Sequence, residues 1–564
     1  MAKFTPEEIE LLKNYVTNPT GSVFCITGMP GLVGAAYARY SRAQGGFREV
    51  LLKEFIKEGV VDSEHAEELI QRVLIAFGDD SVGELEGAHL SFENITMLAA
   101  KEMEECRIGG SPIEQSTRYV FLNQKNDEGN YKYYRDPKIM ASKHGRAYVE
   151  GMNFFFDTYC RLYDPVKDWY KKRKPLEAAE YDVLGSGEKQ HYAALSDPKD
   201  QKAFRVTYAM DIKTKTCDTL RYILPIATQT NVGWFGNGRF YQSLVSAMLS
   251  NPHAELQELA RQAETELNKL IPAYVRRAKA SEYQMANEGN MEKLALQLTA
   301  NIEVMANEDE IDLVDPGVSR MAHLLADQNI TLDAVAKALQ EGQDHVTLAM
   351  MLYPYVRHSL RQLIEQVIPA LSTEQKSALI RNYVGVRKTR RDRPYRAFES
   401  GYPYTFDLVT DFGVYKDIMR HRMTSQLRQK FSPLLGFVMP PDIISMGLEK
   451  DLQDCHERSV ELYKLLLPDF PHSASYATLH GSKMRWTLSF NDREAFHLLE
   501  LRTTPQGHPM YRRLCQMMHT KIAERSPWRA ELMSFVDHND YDSARGDSEA
   551  RQRVKERQLE ERKK

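Results

Sequence analysis

Cysteine is scarce in this chain. Its six residues (Cys25, Cys106, Cys160, Cys217, Cys455 and Cys515) are scattered through 564 positions with no Cys-x-x-Cys pair, which argues against a disulfide framework and against structural zinc. Long apolar runs are missing too. None approaches the roughly 20 residues needed to cross a bilayer, and Met1-Ala2-Lys3-Phe4 passes directly into Thr5-Pro6-Glu7-Glu8. Those four residues read as a helix start, with Thr capping, Pro in the first turn and acids at the positive dipole end, and not as a signal peptide. The expectation is a cytoplasmic protein with reduced thiols. Charge of one sign is also lacking: 74 Lys plus Arg against 78 Asp plus Glu leave a net charge of −4, which excludes a dedicated nucleic-acid coat or a polybasic membrane binder. No Gly-x-Gly-x-x-Gly follows a strand-like run, and Gly28-x-x-Gly31-x-x-Gly34 lacks the Lys-Ser/Thr of a phosphate loop, so neither a Rossmann domain nor a P-loop is expected.

What is present is a globular composition, 42% hydrophobic and 27% charged, long enough for about three or four domains or two large ones. Leu256, Leu259, Ala260, Ala263, Leu267 and Leu270 recur at three- and four-residue steps, the pattern of an amphipathic helix. Residues 64–77, 355–371 and 448–467 read the same way. Thr405–Thr410, Tyr222–Ile226 and Lys483–Phe490 are β-branched and aromatic, and read as strands. The mixture favours an α+β fold. Residues 386–394 form a basic run that reads as a solvated loop, and the charged tail from Tyr541 as an exposed helix or frayed end.

A divergent repeat runs through the chain. Asn237-x-Arg239 aligns with Asn491-x-Arg493, each preceded by a strand-like and followed by a helix-like stretch, and Met248 then falls on Arg502. Upstream, CRIGGSPIEQSTRY (106–119) in the first half answers RHRMTSQLRQKFS (420–432) in the second.

These segments resemble the flavin-dependent thymidylate synthases, whose signature is Arg-His-Arg-x-x-Ser-x-Asn-Glu-x-Ser-x-Arg-Tyr followed by Arg-x-x-Leu-Pro, an Asn and a Leu-Arg. The chain looks like two such units in tandem. The first keeps the back of the signature, Ser111 and Glu114-Gln115-Ser116-Thr117-Arg118-Tyr119, and Arg221-x-x-Leu224-Pro225, but has Cys106, Arg107 and Ile108 for Arg-His-Arg and Met248 for the late arginine. The second keeps Arg420-His421-Arg422, Ser425, Asn491, Leu501 and Arg502, but has Arg428, Lys430, Ser432 and Ser475 at the positions the first half retains. The family builds each nucleotide pocket from two subunits, one supplying each set. Complementary losses therefore imply one complete composite pocket and one abandoned pocket per chain. Asp417 stands where the family often has Gln, and Ile113 where it has Asn.

The resemblance implies roles for particular residues. Glu114, Gln115, Ser116, Thr117, Arg118, Arg221 and Arg420 would bind a dUMP-like nucleotide, with Arg118 and Arg221 at its phosphate, because an arginine fork offers fixed donors that stay charged. Arg502 would be catalytic, stabilising negative charge at the pyrimidine edge. Ser81, Glu114, Arg420, His421, Arg422, Asn491, Arg493 and His497 would hold FAD. NADPH and methylenetetrahydrofolate would be co-substrates, and no metal is implied. The expected architecture is two similar α+β units, each a twisted sheet flanked by long helices, forming an internal pseudo-dimer. The first unit spans 1–290 with an insertion near 150–200, the second spans 291–540, and a tail covers 541–564. Because the family is tetrameric, a homodimer is expected. The alternatives are a related flavoenzyme acting on another pyrimidine nucleotide, for which Asp417 is the motive, and a noncatalytic nucleotide- or RNA-binding relative using the basic run.

Overall fold

The computed structural model describes residues 4–27, 29, 33–40, 46–57, 60–61, 84–106, 108–282, 285–286, 310–313, 331–356, 358–390, 392, 394, 396–400, 403–541 and 545–562. The expected helix at 64–77 and Ser81 lie outside them. In the first half, β1 (Gly87–Thr96) leads into α1 (Met97–Glu104) and β2 (Gly110–Glu114). Two long helices follow, α2 (Gly145–Arg173) and α3 (Pro198–Leu220), and then β3 (Gln229–Asn237), α4 (Gly238–Ser250) and α5 (Ala254–Leu267). The second half contains the short β4 (Ile311–Leu313), α6 (Leu332–Leu352), β5 (Tyr404–Asp411), α7 (Phe412–Ile418), β6 (Ser425–Arg428), α8 (Glu449–Leu466), β7 (Lys483–Phe490), α9 (Asp492–Arg502) and α10 (Pro509–Arg525).

The two larger sheets among the described residues repeat one plan. The first has the order β1-β3-β2 and the second β5-β7-β6, with β4 added outside β5, and all pairs are antiparallel. The register repeats as well: Glu114 faces Val232 in one sheet and Arg428 faces Trp486 in the other. Helix starts are set by equivalent caps, since the Asn237 and Asn491 side chains each accept the N–H three residues on, satisfying a donor the helix leaves unpaired. Strands β5 and β7 are as the alternation predicts. Met484, Trp486, Leu488 and Phe490 point inward beside Tyr404, Phe406 and Leu408.

The run Tyr222–Ile226 is not a strand. Arg221–Ile223 form a 3₁₀ turn, and Pro225 then makes an isolated antiparallel bridge with Leu479 of the other half. Pro225 has no N–H to give a ladder, so its neighbours bond across the halves instead, Ile226 N to Thr478 O at 2.8 Å and His480 N to Leu224 O at 2.8 Å. Pro225 stands twelve residues before Asn237 and Leu479 twelve before Asn491 (237 − 225; 491 − 479). Equivalent positions of the two halves therefore pair with each other.

Residues 150–200, expected as an insertion, include most of α2, whose Tyr148, Met152, Phe155 and Tyr159 are wholly buried. Helix α2 packs on α8 of the second half so closely that a Cβ at Gly151 would lie 2.9 Å from Leu462. The expected helix at 355–371 begins only at Leu360 and is broken by a π turn at Leu363–Val367, with Pro354 and Pro369 interrupting helical hydrogen bonding on either side. Of the two readings of the tail, the helix holds and the frayed end does not. Helix α11 (Arg545–Arg562) packs on α3, with Ala550 buried and ion pairs Lys189–Asp547 and Arg557–Asp200 at 2.8 Å each. Among the described residues, no helix is long and apolar enough to cross a membrane.

Candidate functional site

Helix α7 and the turn after it place Lys416, Asp417, Arg420, His421 and Arg422 against the first half. The anchor is Glu114, whose side chain is fully buried at the end of β2. Lys416 Nζ reaches its Oε1 at 2.7 Å, Lys101 Nζ its Oε2 at 2.8 Å, and Arg420 Nη2 its Oε2 at 3.4 Å. Burial alone would raise the Glu114 carboxyl pKa, but Lys101 and Lys416 outweigh it and hold the group below the ordinary range. Arg422 donates across the same junction to Gly110 O at 2.6 Å and Ser111 Oγ at 3.2 Å.

On the second half's side, Glu494 and His497 lie three residues apart in the first turns of α9 and so share a face. Glu494 accepts from His421 Nδ1 at 2.7 Å, and Arg502 Nε donates to His421 Nε2 at 2.9 Å. Burial, opposed by the Glu494 hydrogen bond and aided by Arg502, pushes the His421 pKa down to about 4. Burial also works against the Glu494 charge, yet hydrogen bonds from His421 and His497 bring its pKa to about 2. A neutral His421 donating through Nδ1 has one free lone pair, on Nε2, and that lone pair orients Arg502. Ligand-type atoms of His421, Glu494 and His497 lie within 4.8 Å of one another, but both nitrogens of His421 are already engaged, so the trio acts as a hydrogen-bonded support for the arginine.

These groups open into a cavity of about 600 Å³ lined by both halves: Ile108 and Gly109 from the first, and Arg420, His421, Arg422, Asn491, Arg493, His497 and Arg502 among those from the second. The size is ordinary for a small-molecule site. Asn491 and Arg493 are held by backbone carbonyls, Glu399 O at 3.2 Å and Pro394 O respectively. Of the residues expected to hold FAD, all the described ones line this cavity except Glu114, which lies beneath it, tied through Arg420.

Ser116, Thr117, Arg118 and Arg221 do not line that cavity. Arg118 forms a two-pronged ion pair with Asp218, Nε to Oδ1 at 2.8 Å and Nη2 to Oδ2 at 2.7 Å. Arg221 lies 3.9 Å from both Asp218 and Asp417. Gln115 bonds Asn231, and the Ser116 hydroxyl accepts from Arg118 N at 3.3 Å. Asp417 joins the two groups. Burial would raise its pKa, but Arg221, Arg118 and Arg502 together lower it, so the phosphate-end arginines and the catalytic candidate share one electrostatic neighbourhood. Arg221 Nε and Asp417 Oδ2 are buried with no hydrogen-bond partner in the protein, which leaves a donor and an acceptor in this neighbourhood for a polar ligand to satisfy. His480 and His508 lie fully buried beneath, held neutral by burial and then by Arg221.

Sequence reasoning missed Lys101, Lys416, Asp218 and Glu494. Three carried a local signal: Lys416 precedes Arg420 by one helical turn, Asp218 stands three residues before Arg221, and Glu494 three before His497. The basic run is partly absorbed by the fold, since Arg387 is buried against Glu500 at 2.6 Å.

Three positions where the second half has lost the motif, Arg428, Lys430 and Ser475, line a second cavity of about 490 Å³, together with Glu102, Glu105 and Tyr415 among others. Arg428 there forms ion pairs with Glu102 and Glu105.

The buried histidines predict acid lability. The folded His421 pKa of about 4 lies below the ordinary 6.5, so as pH falls through 6.5 the unfolded chain gains a proton the folded chain refuses. Stability is therefore complete above pH 6.5 and declines toward pH 4, by about 3 kcal/mol for this residue. His253, also pushed to about 4 by burial and then by His472, adds a similar amount. Asp411, raised to about 6 by burial, runs the other way and offsets one of them. Calorimetry should show a lower Tm at pH 5 than at pH 7; an unchanged or higher Tm would contradict these assignments.

Comparison with known proteins adds to this geometry. A family profile described as Thymidylate synthase complementing protein (Thy1) matches two segments, residues 29–273 and 340–528. The chain is 34% identical over 573 residues to a UPF0159 protein of Chlamydia pneumoniae, covering 97% of this chain and 98% of that one. It is 27% identical over 540 residues to a UPF0159 protein of Thermoplasma acidophilum, with 93% and 98% covered. A solved UMP/dUMP methylase from Streptomyces cacaoi, bound with 5-Br dUMP, shares 17% identity, covering 44% of this chain and 89% of that one with a TM-score of 0.26.

Proposed function

Since the chain belongs to the thymidylate synthase complementing protein family, we propose that it is a flavin-dependent thymidylate synthase with one composite site per chain, converting dUMP to dTMP with methylenetetrahydrofolate and NADPH. The observation that carries this reading is the junction at Glu114 and Arg420–Arg422, where the motif pieces kept by one half meet those kept by the other beside a cavity of about 600 Å³. FAD would be held there by Arg420, His421, Arg422, Asn491, Arg493 and His497, and when bound it supplies the reducing chemistry. Arg118 and Arg221 would take the nucleotide's phosphate, exchanging part of their pairing with Asp218 and Asp417 for it. Arg502, aimed by neutral His421, would stabilise negative charge on the pyrimidine as C5 becomes nucleophilic. No cysteine attack is needed.

The two halves would form an internal pseudo-dimer, a reading supported by the pairing of Pro225 with its own equivalent Leu479, as a twofold axis requires. Two chains would then make the homodimer equivalent to a family tetramer. Asp417 favours a second reading, a pyrimidine nucleotide other than dUMP, because a buried carboxylate beside the phosphate arginines offsets part of their charge.

The test is tritium release from C5-labelled dUMP in the presence of NADPH and methylenetetrahydrofolate, on protein showing a flavin absorbance. Titration should give one nucleotide and one flavin per chain. Two equivalent nucleotide sites per chain would overturn the composite reading, and release from another pyrimidine nucleotide alone would favour the second.

A further inference from the structure

The contact at Glu114 occurs twice in the molecule, with its charges exchanged. Glu114 and Arg428 occupy the same register position in their sheets. Glu102 stands twelve residues before Glu114, and Lys416 twelve before Arg428 (114 − 102; 428 − 416). At one junction Glu114 of the first half pairs with Lys416 of the second at 2.7 Å. At the other, Arg428 of the second half pairs with Glu102 of the first, side chains only 14% and 16% exposed. The flanking groups follow suit: Arg420 also reaches Glu114, and Glu105 also pairs with Arg428. At these repeated contacts the groups that cross between the halves are Glu102, Glu105 and Glu114 of the first and Lys416, Arg420 and Arg428 of the second, while Lys101 pairs with Glu114 within the first half.

We propose that this exchange of charge selects the partner surface, so that the first half pairs with the second and neither pairs with its own kind. Two first halves brought together in the same geometry would set Glu114 against Glu102 twice, and two second halves would set Arg428 against Lys416 twice. Like charges across a buried contact strongly disfavour association. An ordinary self-pairing unit needs an acid at one of the two positions and a base at the other; each half here carries the same sign at both. The consequence rests on the composite-site reading: a pair of like halves would contain no complete site, because Glu114 and Arg118 lie in one half and Arg420–Arg422 and Arg502 in the other. The pairing rule itself needs neither flavin nor nucleotide.

The full-length chain tests it through the axis contact. Pro225 and Leu479 face each other without direct hydrogen bonds between them, since their neighbours carry those bonds, the arrangement that brings Cα atoms closest in an antiparallel pair and suits a disulfide. Chains carrying Pro225→Cys and Leu479→Cys are oxidised, and the linked peptides are identified by mass spectrometry. With the native faces, nearly all links should join 225 to 479. In the background Glu102→Arg, Glu105→Gln, Arg428→Glu, every pairing becomes attractive, and links of 225 to 225 and 479 to 479 should rise about tenfold. A neutral background, Glu102→Gln with Arg428→Met, keeps the comparison available should the reversal fail to fold, and should give a smaller rise. Like-to-like links no more frequent in either folded background than with native faces would overturn the proposal, whatever the enzyme assays show.

Discussion

Arg502→Ala should lower turnover by about 10²–10³-fold, the usual loss when a preorganised donor to developing negative charge is removed, with far less change in overall stability. The side chain is built for one orientation. Its Nε donates to His421 Nε2 at 2.9 Å, and its guanidinium lies 5.5 Å from the Tyr511 ring centroid. Arg502→Lys keeps a charge but loses that directed N–H and should recover only part of the rate. The equivalent residue of the first half is the control. Met248 is 2% exposed in the first half's core, so alanine there would itself cost about 2–5 kcal/mol of stability, whereas Met248→Leu conserves volume and should leave turnover within about twofold. The measurement is steady-state tritium release with urea melts on the same preparations. Equal losses in Arg502→Ala and Met248→Leu would end the division of labour between the halves.

Glu114→Ala should destabilise the protein by about 3–5 kcal/mol, because it leaves two buried ammonium groups without their shared carboxylate. Lys101 and Lys416 are both nearly inaccessible, at 0% and 6% side-chain exposure. Burial disfavours both charges, outweighed at Lys101 by Glu104 and then Glu114, and offset only in part by Glu114 at Lys416, whose pKa stays lowered. The effect should appear as a lower urea midpoint with an unchanged slope. Replacing the cluster together, with Glu114→Leu, Lys101→Met, Lys416→Met and also Glu104→Met, because the buried Glu104 carboxylate pairs with Lys101, should return much of the loss, since a well-packed apolar substitute often equals a buried ion pair. A Glu114→Ala variant within 1 kcal/mol of the parent would mean that the lysines find water, and that Glu114 does not hold the halves together. Because Glu114 also underlies Arg420, flavin retention should fall with it.

Strands β5 and β7 were legible from the alternation of aromatic and β-branched residues with polar ones, since each has one face on the core. Helix α5 was legible for the same kind of reason, with Leu256, Ala260, Ala263 and Leu267 all buried on one face. The segment Tyr222–Ile226 misled because buried apolar residues are common both to strands and to a chain crossing between two packed halves. Helix α2 carried the helical signal, with Arg146, Glu150, Asp157, Arg161, Asp164, Asp168 and Lys171 exposed on one face and Tyr148, Met152, Phe155, Tyr159 and Leu162 buried on the other. It falls largely, however, in the stretch that reads as an insertion because it has no counterpart in the motif. The cavity-lining set, Arg420–Arg422 with Asn491, Arg493, His497 and Arg502, was legible as a motif. Its support was not: Lys101 and Asp218 look like ordinary helix-surface charges until the fold buries them.

By itself, the sequence determined that two related units lie in tandem, which motif pieces each has kept, and where the Asn-capped helices begin, because these depend on residue order and local hydrogen bonding. Only the tertiary structure decided that Glu114 meets Lys416 across 302 positions, that Asp417 stands among three arginines, and that Arg428 turns from a lost motif position into one side of an ion pair. Such contacts have no period and no spacing in the chain. They arise when two hydrophobic cores bring distant charges out of water together, and their energy exists only once that water has gone.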